Sequence, residues 1–316
     1  MKNIQLLILL LAFSVSAQAG EKVDKTLDVS ATADITIEDP NSRIEIHAWD
    51  KNKVKVTGEI SDQAKGYTFE KQGDNIIFAV EYEGRMDWND SDKAKDSSKL
   101  IFYVPIKSRL EISNVNGDID VTGIEGGTSV ESVNGNIAVE KLKQRITLET
   151  INGNIVTNEI EGKINMETIN GNVTDKDSSG TLKVSTVQGN IKSTSRYSIV
   201  EIEIVNGGLE LQLDKIDELS IDSVNGKVDA AMDLNSKGEV SVSNVNGSID
   251  LKFNQDVSAD FQVDVAVSGA IINKLTTDKA EKQVYGPGSN LNFSKNGGSG
   301  RVEVSTVSGK VQISAR

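Results

Sequence analysis

The hexapeptide Glu-Thr-Ile-Asn-Gly-Asn stands at residues 149–154 and again, unchanged, at residues 167–172. A fixed period is the strongest constraint a sequence can place on its fold, because every copy must be satisfied by the same surroundings. Taking the glycine as anchor, Gly117, Gly135, Gly153, Gly171, Gly189 and Gly207 follow one another every 18 residues. The spacing loosens at Gly226, Gly247 and Gly269, and the pattern returns at Gly309. Two residues before each anchor stands valine or isoleucine, Ile151 and Ile169 among them, and two residues after it stands another aliphatic. Asparagine precedes seven anchors, at Asn116, Asn134, Asn152, Asn170, Asn206, Asn225 and Asn246; Gln188, Ser268 and Ser308 precede the others.

Asn-Gly is the dipeptide that most readily accepts positive φ, so a turn is expected at each anchor. Upstream, apolar and polar residues alternate, as in Ile146-Thr147-Leu148 and Leu219-Ser220-Ile221, the period of a strand with one buried face. The parity slips between Leu148 and Ile151, as at a corner. Each repeat therefore reads as two short strands and two bends, the second bend near residues 124–127, 161–162 and 178–180. Residues 108–271 show no helical periodicity.

An antiparallel meander and a β-solenoid both offer two strands and two bends per repeat. Identity between repeats favours the solenoid, in which each residue stacks on its counterpart about 4.8 Å away. Stacking turns the aliphatic before each glycine into an expected core column, and it lets an asparagine column hydrogen-bond along its length. Ten coils make a rod on the order of 48 Å long. An outer-membrane barrel also alternates, but it needs aromatic girdles, and aromatics are 4% of this chain. The expected class is all-β: a single-stranded β-helix, or β-solenoid, with coils of about 18 residues and a β-rich N-terminal capping region.

Residues 1–19 carry Lys2, a leucine-rich run and Ala17-Gln18-Ala19, the marks of a cleaved signal peptide, so export to the periplasm or cell surface is expected. Residues 20–107 are assigned to the capping region and 108–316 to the repeats, with an insertion near 273–299. Residues 83–99 are charged and unpatterned, as in a loop.

Several segments in this order resemble the bacterial putative-adhesin β-solenoid family, a domain of unknown function related to the head-GIN domain proteins. They are Ile46-His47-Ala48-Trp49-Asp50 with Val54-Lys55-Val56, then Phe102-Tyr103-Val104-Pro105, the V-N-G-x-I coils, and Ser305-Thr306-Val307-Ser308-Gly309. Ala48 stands where the family commonly has glycine. The resemblance covers almost all of the chain after the signal peptide and implies a β-helix fold and export. It brings no catalytic residue.

The chemistry available is narrow. With no cysteine and a single histidine, His47, thiolate sites, imidazole triads and histidine metal clusters are excluded. No cofactor is expected. A net charge of −13 makes nucleic acid a poor partner, and no later segment is apolar for long enough to enter a membrane stably. Glu131, Glu149, Glu167 and Glu203 fall in register, which raises a calcium ladder as one hypothesis. Acids that follow the repeat do not resemble a catalytic pair, although polysaccharide-active enzymes do use β-helices. Trp88 and Tyr285 are candidate ligand contacts because the regular coils are nearly free of aromatics, and Trp49 is a weaker third. The expected function is an exported, non-enzymatic, adhesin-like protein that engages an envelope or extracellular protein or polysaccharide. An envelope-polysaccharide enzyme and a purely structural periplasmic scaffold are the alternatives.

Overall fold

The structure, a computed structural model, describes residues 22–82 and 97–316. The expected signal peptide lies outside the described residues. The first strands are β1 (Lys22–Asp28), β2 (Asp34–Glu38), β3 (Ser42–Trp49), β4 (Lys53–Glu59), β5 (Ala64–Gln72), β6 (Asn75–Tyr82) and β7 (Ser98–Pro105). The repeat follows as β8 (Arg109–Ser113), β9 (Ile119–Thr122), β10 (Thr128–Ser132), β11 (Ile137–Glu140), β12 (Lys143–Asn152), β13 (Ile155–Asn158) and β14 (Glu161–Asn170). Longer strands then run around the corners: β15 (Val173–Gln188), β16 (Ile191–Asn206) and β17 (Leu209–Phe253). β18 (Ala259–Asn273), β19 (Glu281–Lys282), β20 (Ser289–Lys295) and β21 (Gly300–Ala315) complete the order.

The chain is a β-solenoid. β8, β10, β12 and β14 stack in parallel, with Val130 opposite Leu148 and Leu148 opposite Met166. Beyond the glycine corner β9, β11 and β13 stack in the same way, placing Ile119, Ile137, Ile155 and Val173 in one column. The core lies between these two sheets, where Ile146, Leu148 and Ile155 are completely buried. The second bend falls slightly before the glycines that the sequence suggested. It is made by Lys141, Glu159 and Asp177, whose φ values of 56°, 53° and 53° are left-handed. Near this bend one coil replaces an inward aliphatic by Asp175, and the register shifts between Lys176 and Ser179. The hydroxyls of Thr157, Ser193 and Ser195 donate to the buried carboxylate at 2.6, 2.7 and 2.7 Å, which satisfies it inside the core.

At both ends the order in space departs from the order in the chain. β2 pairs in parallel with β8 on one side and β6 on the other, and β3 does the same with β9 and β7. Residues of the expected capping region thus form further coils, and Asn41 bridges Asn116 where the other coils carry Asn-Gly. Asp39 beside it is fully buried and accepts the Asn41 N–H and the Tyr82 hydroxyl, each at 3.0 Å. Burial raises its pKa. Antiparallel strands β1, β4 and β5 close this end.

At the other end the coil around Gly309 was expected last, and the structure places it between two others. β21 pairs in parallel with β17 and with β18, so Gly309 stacks on Gly247 and Gly269 stacks on Gly309. The reason is the segment 273–299. It carries β20 antiparallel along the far side of β18, and from there β21 enters the gap of one coil left between β17 and β18. Aromatic pairs concentrate at the two ends: Phe78 packs on Phe102 at 5.0 Å, and Phe261 stacks on Phe293 at 4.5 Å. The even coil spacing of the middle suits aliphatic columns, whereas the ends meet irregular layers that large rings fill.

Candidate interaction surface

The Asn-Gly corner differs from the turn that its dipeptide suggests. Gly135, Gly153 and Gly171 have no left-handed φ; the constraint is proximity, because a Cβ on Gly153 would stand 1.9 Å from the carbonyl oxygen of Gly135. Beside this column each asparagine amide donates to the one before it: Asn134 to Asn116 and Asn152 to Asn134 at 2.9 Å, and Asn170 to Asn152 at 3.0 Å. The series resumes from Asn225 to Asn206 and from Asn246 to Asn225, at 3.0 and 3.3 Å. A second ladder escaped the sequence reading, although the final asparagine of the repeated hexapeptide signals it. The side-chain oxygens of Asn136, Asn154 and Asn172 each accept the backbone N–H of the residue one coil on, at 2.9–3.0 Å. These two ladders and the glycine column lock the corner coil to coil.

One expectation is overturned here. The valine or isoleucine before each glycine was expected in the core, but Ile151 is 41% exposed and Ile169 46%. Val187, Val205, Val224, Val245, Val307 and Val267 are similarly exposed. The parity slip explains it. After Leu148 the next inward position is Thr150, which is buried and donates to the Gly135 carbonyl at 3.2 Å, and Thr168 repeats the contact with Gly153 at 3.1 Å. Threonine holds the corner from inside, so the next residue must face out. The outcome is a continuous aliphatic ridge along the rod.

Next to the ridge runs a groove of about 510 Å³, with Val133, Ile151 and Ile169 on one side and Glu131, Glu149 and Glu167 on the other. Neighbouring glutamates are direct register partners. Burial, then Glu167 and Glu131, push the Glu149 pKa above its usual value. A carboxyl with a raised folded pKa adds stability below its unfolded pKa and loses it as pH rises through the folded pKa. Glu149→Gln is therefore expected to raise the melting temperature at pH 7 and to leave it unchanged at pH 3.5, checked by thermal melts at both. A gain of the same size at both pH values would show that the charge is not the cause.

The column does not continue to Glu203 in the same chemistry. Ser185 intervenes, and Lys183 pairs with Glu201 at 2.7 Å and with Glu203 at 3.3 Å. Among the described residues no group of three or more histidine, cysteine, aspartate or glutamate side chains is arranged to hold a metal ion. Of the candidate ligand contacts, Trp88 lies outside the described residues. Tyr285 is 97% exposed in the turn between β19 and β20, far from the groove in sequence and not among the residues that line it. His47 and Trp49 are half-buried on the outer side of β3.

No curated protein matches the chain. Among solved structures it is similar to a putative cell adhesion protein from Clostridium sporogenes ATCC 15579, at 9% identity and a TM-score of 0.23, covering 94% of this chain and 100% of that one. It is also similar to a putative adhesin from Bacteroides fragilis NCTC 9343, at 11% identity and a TM-score of 0.39, covering 93% and 97%. The family model described as Toastrack DUF4097 matches residues 27–314, from β1 to the end of β21, and the protein belongs to that family.

Proposed function

We propose that the protein is an exported, non-enzymatic, adhesin-like rod that holds a protein partner along its ridge. The observation that carries this reading is the exposed aliphatic column in a chain whose other repeated aliphatics are buried. Single exposed valines are ordinary, and β-branched residues suit strands; a stripe renewed in eight successive coils is the kind of surface that marks an interface. Charge selects among occupants. The glutamate wall repels polyanions, and it sets a second copy's glutamates against its own, so the partner is a protein surface with an apolar strip flanked by basic side chains. Against an enzyme, the acids of the groove keep to the repeat and are not set apart as a pair.

The test is a double variant, Ile151→Ser with Ile169→Ser. Both positions are exposed, so a stability change below about 1 kcal/mol is expected. Binding of the labelled protein to washed envelopes of the producing cells is expected to fall roughly tenfold or more, about 1.4 kcal/mol. Undiminished binding by a folded double variant would remove the ridge as the interface. Protease treatment of intact cells, with a periplasmic marker as control, is expected to digest the protein. Protection would defeat the adhesin reading and favour a periplasmic scaffold.

A further inference from the structure

A second surface, away from the ridge, has a different chemistry. Of the described aromatic residues, Trp49, Tyr103 and Tyr285 are those outside the core cluster, and the first two are in contact. Their ring centroids are 5.5 Å apart, and His47 lies 5.7 Å from Tyr103 on the other side. The rings face outward from neighbouring parallel strands, with His47 opposite Tyr103 and Trp49 opposite Pro105. The Trp49 indole N–H donates to the Lys53 carbonyl at 2.7 Å, and the Lys51 ammonium sits 4.9 Å from the ring centre, so the indole is held in place. No hydrogen bond occupies the Tyr103 hydroxyl or the His47 imidazole among the described residues.

Two to four residues back along the same strands from His47 and Tyr103, roughly 7–13 Å away, the surface opens into a cleft of about 420 Å³ lined by Arg43, Glu45, Glu59, Lys99, Ile101 and Lys22. Gly58 also lines it, where a Cβ would stand 1.9 Å from the carbonyl oxygen of Lys99. Arg43 is fixed there by Asp120 at 2.9 Å and Glu45 at 3.1 Å. Lys22 and Lys99 form no ion pair among the described residues, although Glu59 is the register partner of both. In a chain of net charge −13 this cleft carries more cations than anions.

We propose that this face binds a glycan bearing carboxylates, one sugar ring lying on the Trp49–Tyr103 platform and an acidic neighbour reaching Lys99 and Lys22. A pyranose has a face of C–H groups that packs on an aromatic ring, and a rim of hydroxyls that needs fixed donors and acceptors. The platform meets the first need, and the Arg43 network with the free Tyr103 hydroxyl meets the second. The unpaired lysines supply the charge selection. A peptide carboxylate would use the lysines without the platform, and the experiment separates the two.

Replacing Trp88 by phenylalanine leaves Trp49 as the sole tryptophan, because the chain has two. Titration of this variant with trigalacturonate is expected to shift the Trp49 emission saturably, with cellotriose binding roughly tenfold more weakly. Lys99→Ala, an exposed change, is expected to weaken the uronate about tenfold and to leave cellotriose unaffected; Tyr103→Leu is expected to weaken both. Ile151→Ser with Ile169→Ser is expected to leave the titration unchanged, which keeps this site distinct from the ridge. No saturable shift with either sugar at millimolar concentration would overturn the proposal. Equal binding of the two sugars would overturn the carboxylate selection, and unaltered binding in a folded Lys99→Ala variant would overturn the location.

Discussion

A chain ending at Ser299 is expected to lose the order of its last coils while the middle of the rod stays folded. The truncation removes β21, whose Val302, Val304, Val311 and Ile313 are all buried, at about 2 kcal/mol for each side chain returned to water. It also uncovers Val240 and Val242 of β17 and Phe261 and Val263 of β18, which β21 covers from its two sides. Coils of a solenoid answer mainly to their neighbours, so the loss should stop within a few repeats. Hydrogen exchange is the measurement. Amides of residues 239–273 should lose protection, and those of β12 and β14 should keep it. If β18 instead keeps its protection, it has closed directly onto β17 with Gly269 on Gly247, and the contribution assigned to β21 is wrong.

The second large effect belongs to a single methyl group. Gly153→Ala places a Cβ 1.9 Å from the Gly135 carbonyl oxygen, so two coils must separate where both asparagine ladders and the Thr150 bond hold them. A loss of about 3 kcal/mol is expected, the upper end of ordinary overpacking. Gly208→Ala is the contrast, since its Cβ would meet only the side-chain oxygen of Asn190, at 3.1 Å. That change should cost well under half as much, because a side chain can yield where a carbonyl in a ladder cannot. Equal midpoints in chemical denaturation would leave close stacking without support as the role of the glycine column.

The sequence carried the coil, its length and its alternation, because every coil repeats them and stacking makes register a matter of counting. Two things were less legible. The inward or outward sense of Ile151 depended on which residue absorbs the parity slip at the corner, and hydrophobicity alone favoured the isoleucine over Thr150. A threonine that bonds to a backbone carbonyl is indistinguishable in sequence from one that faces water. The insertion of β21 was invisible for another reason: Gly247, Gly269 and Gly309 carry the same local signal, and nothing local says which coil lies on which. The aromatic and cationic face was scattered across residues 22–103, and only the pairing of β3 with β7 brings Trp49, Tyr103 and Lys99 onto one surface.

The coils that hold β2–β3 and β21 each lie between two neighbours, and this changes how the rod would answer a pull. A strand at the very end of a stack can be peeled away one hydrogen bond at a time. A strand paired on both flanks, drawn along its own direction, must slide against two ladders at once and loads many bonds together. Tension applied through Arg316 would enter at β21, whose flanks are both paired, whereas tension applied at Lys22 would enter at β1, whose one ladder is with β4, before it reached β2. A rod loaded in this way would resist shear best at β21 and would yield first at β1.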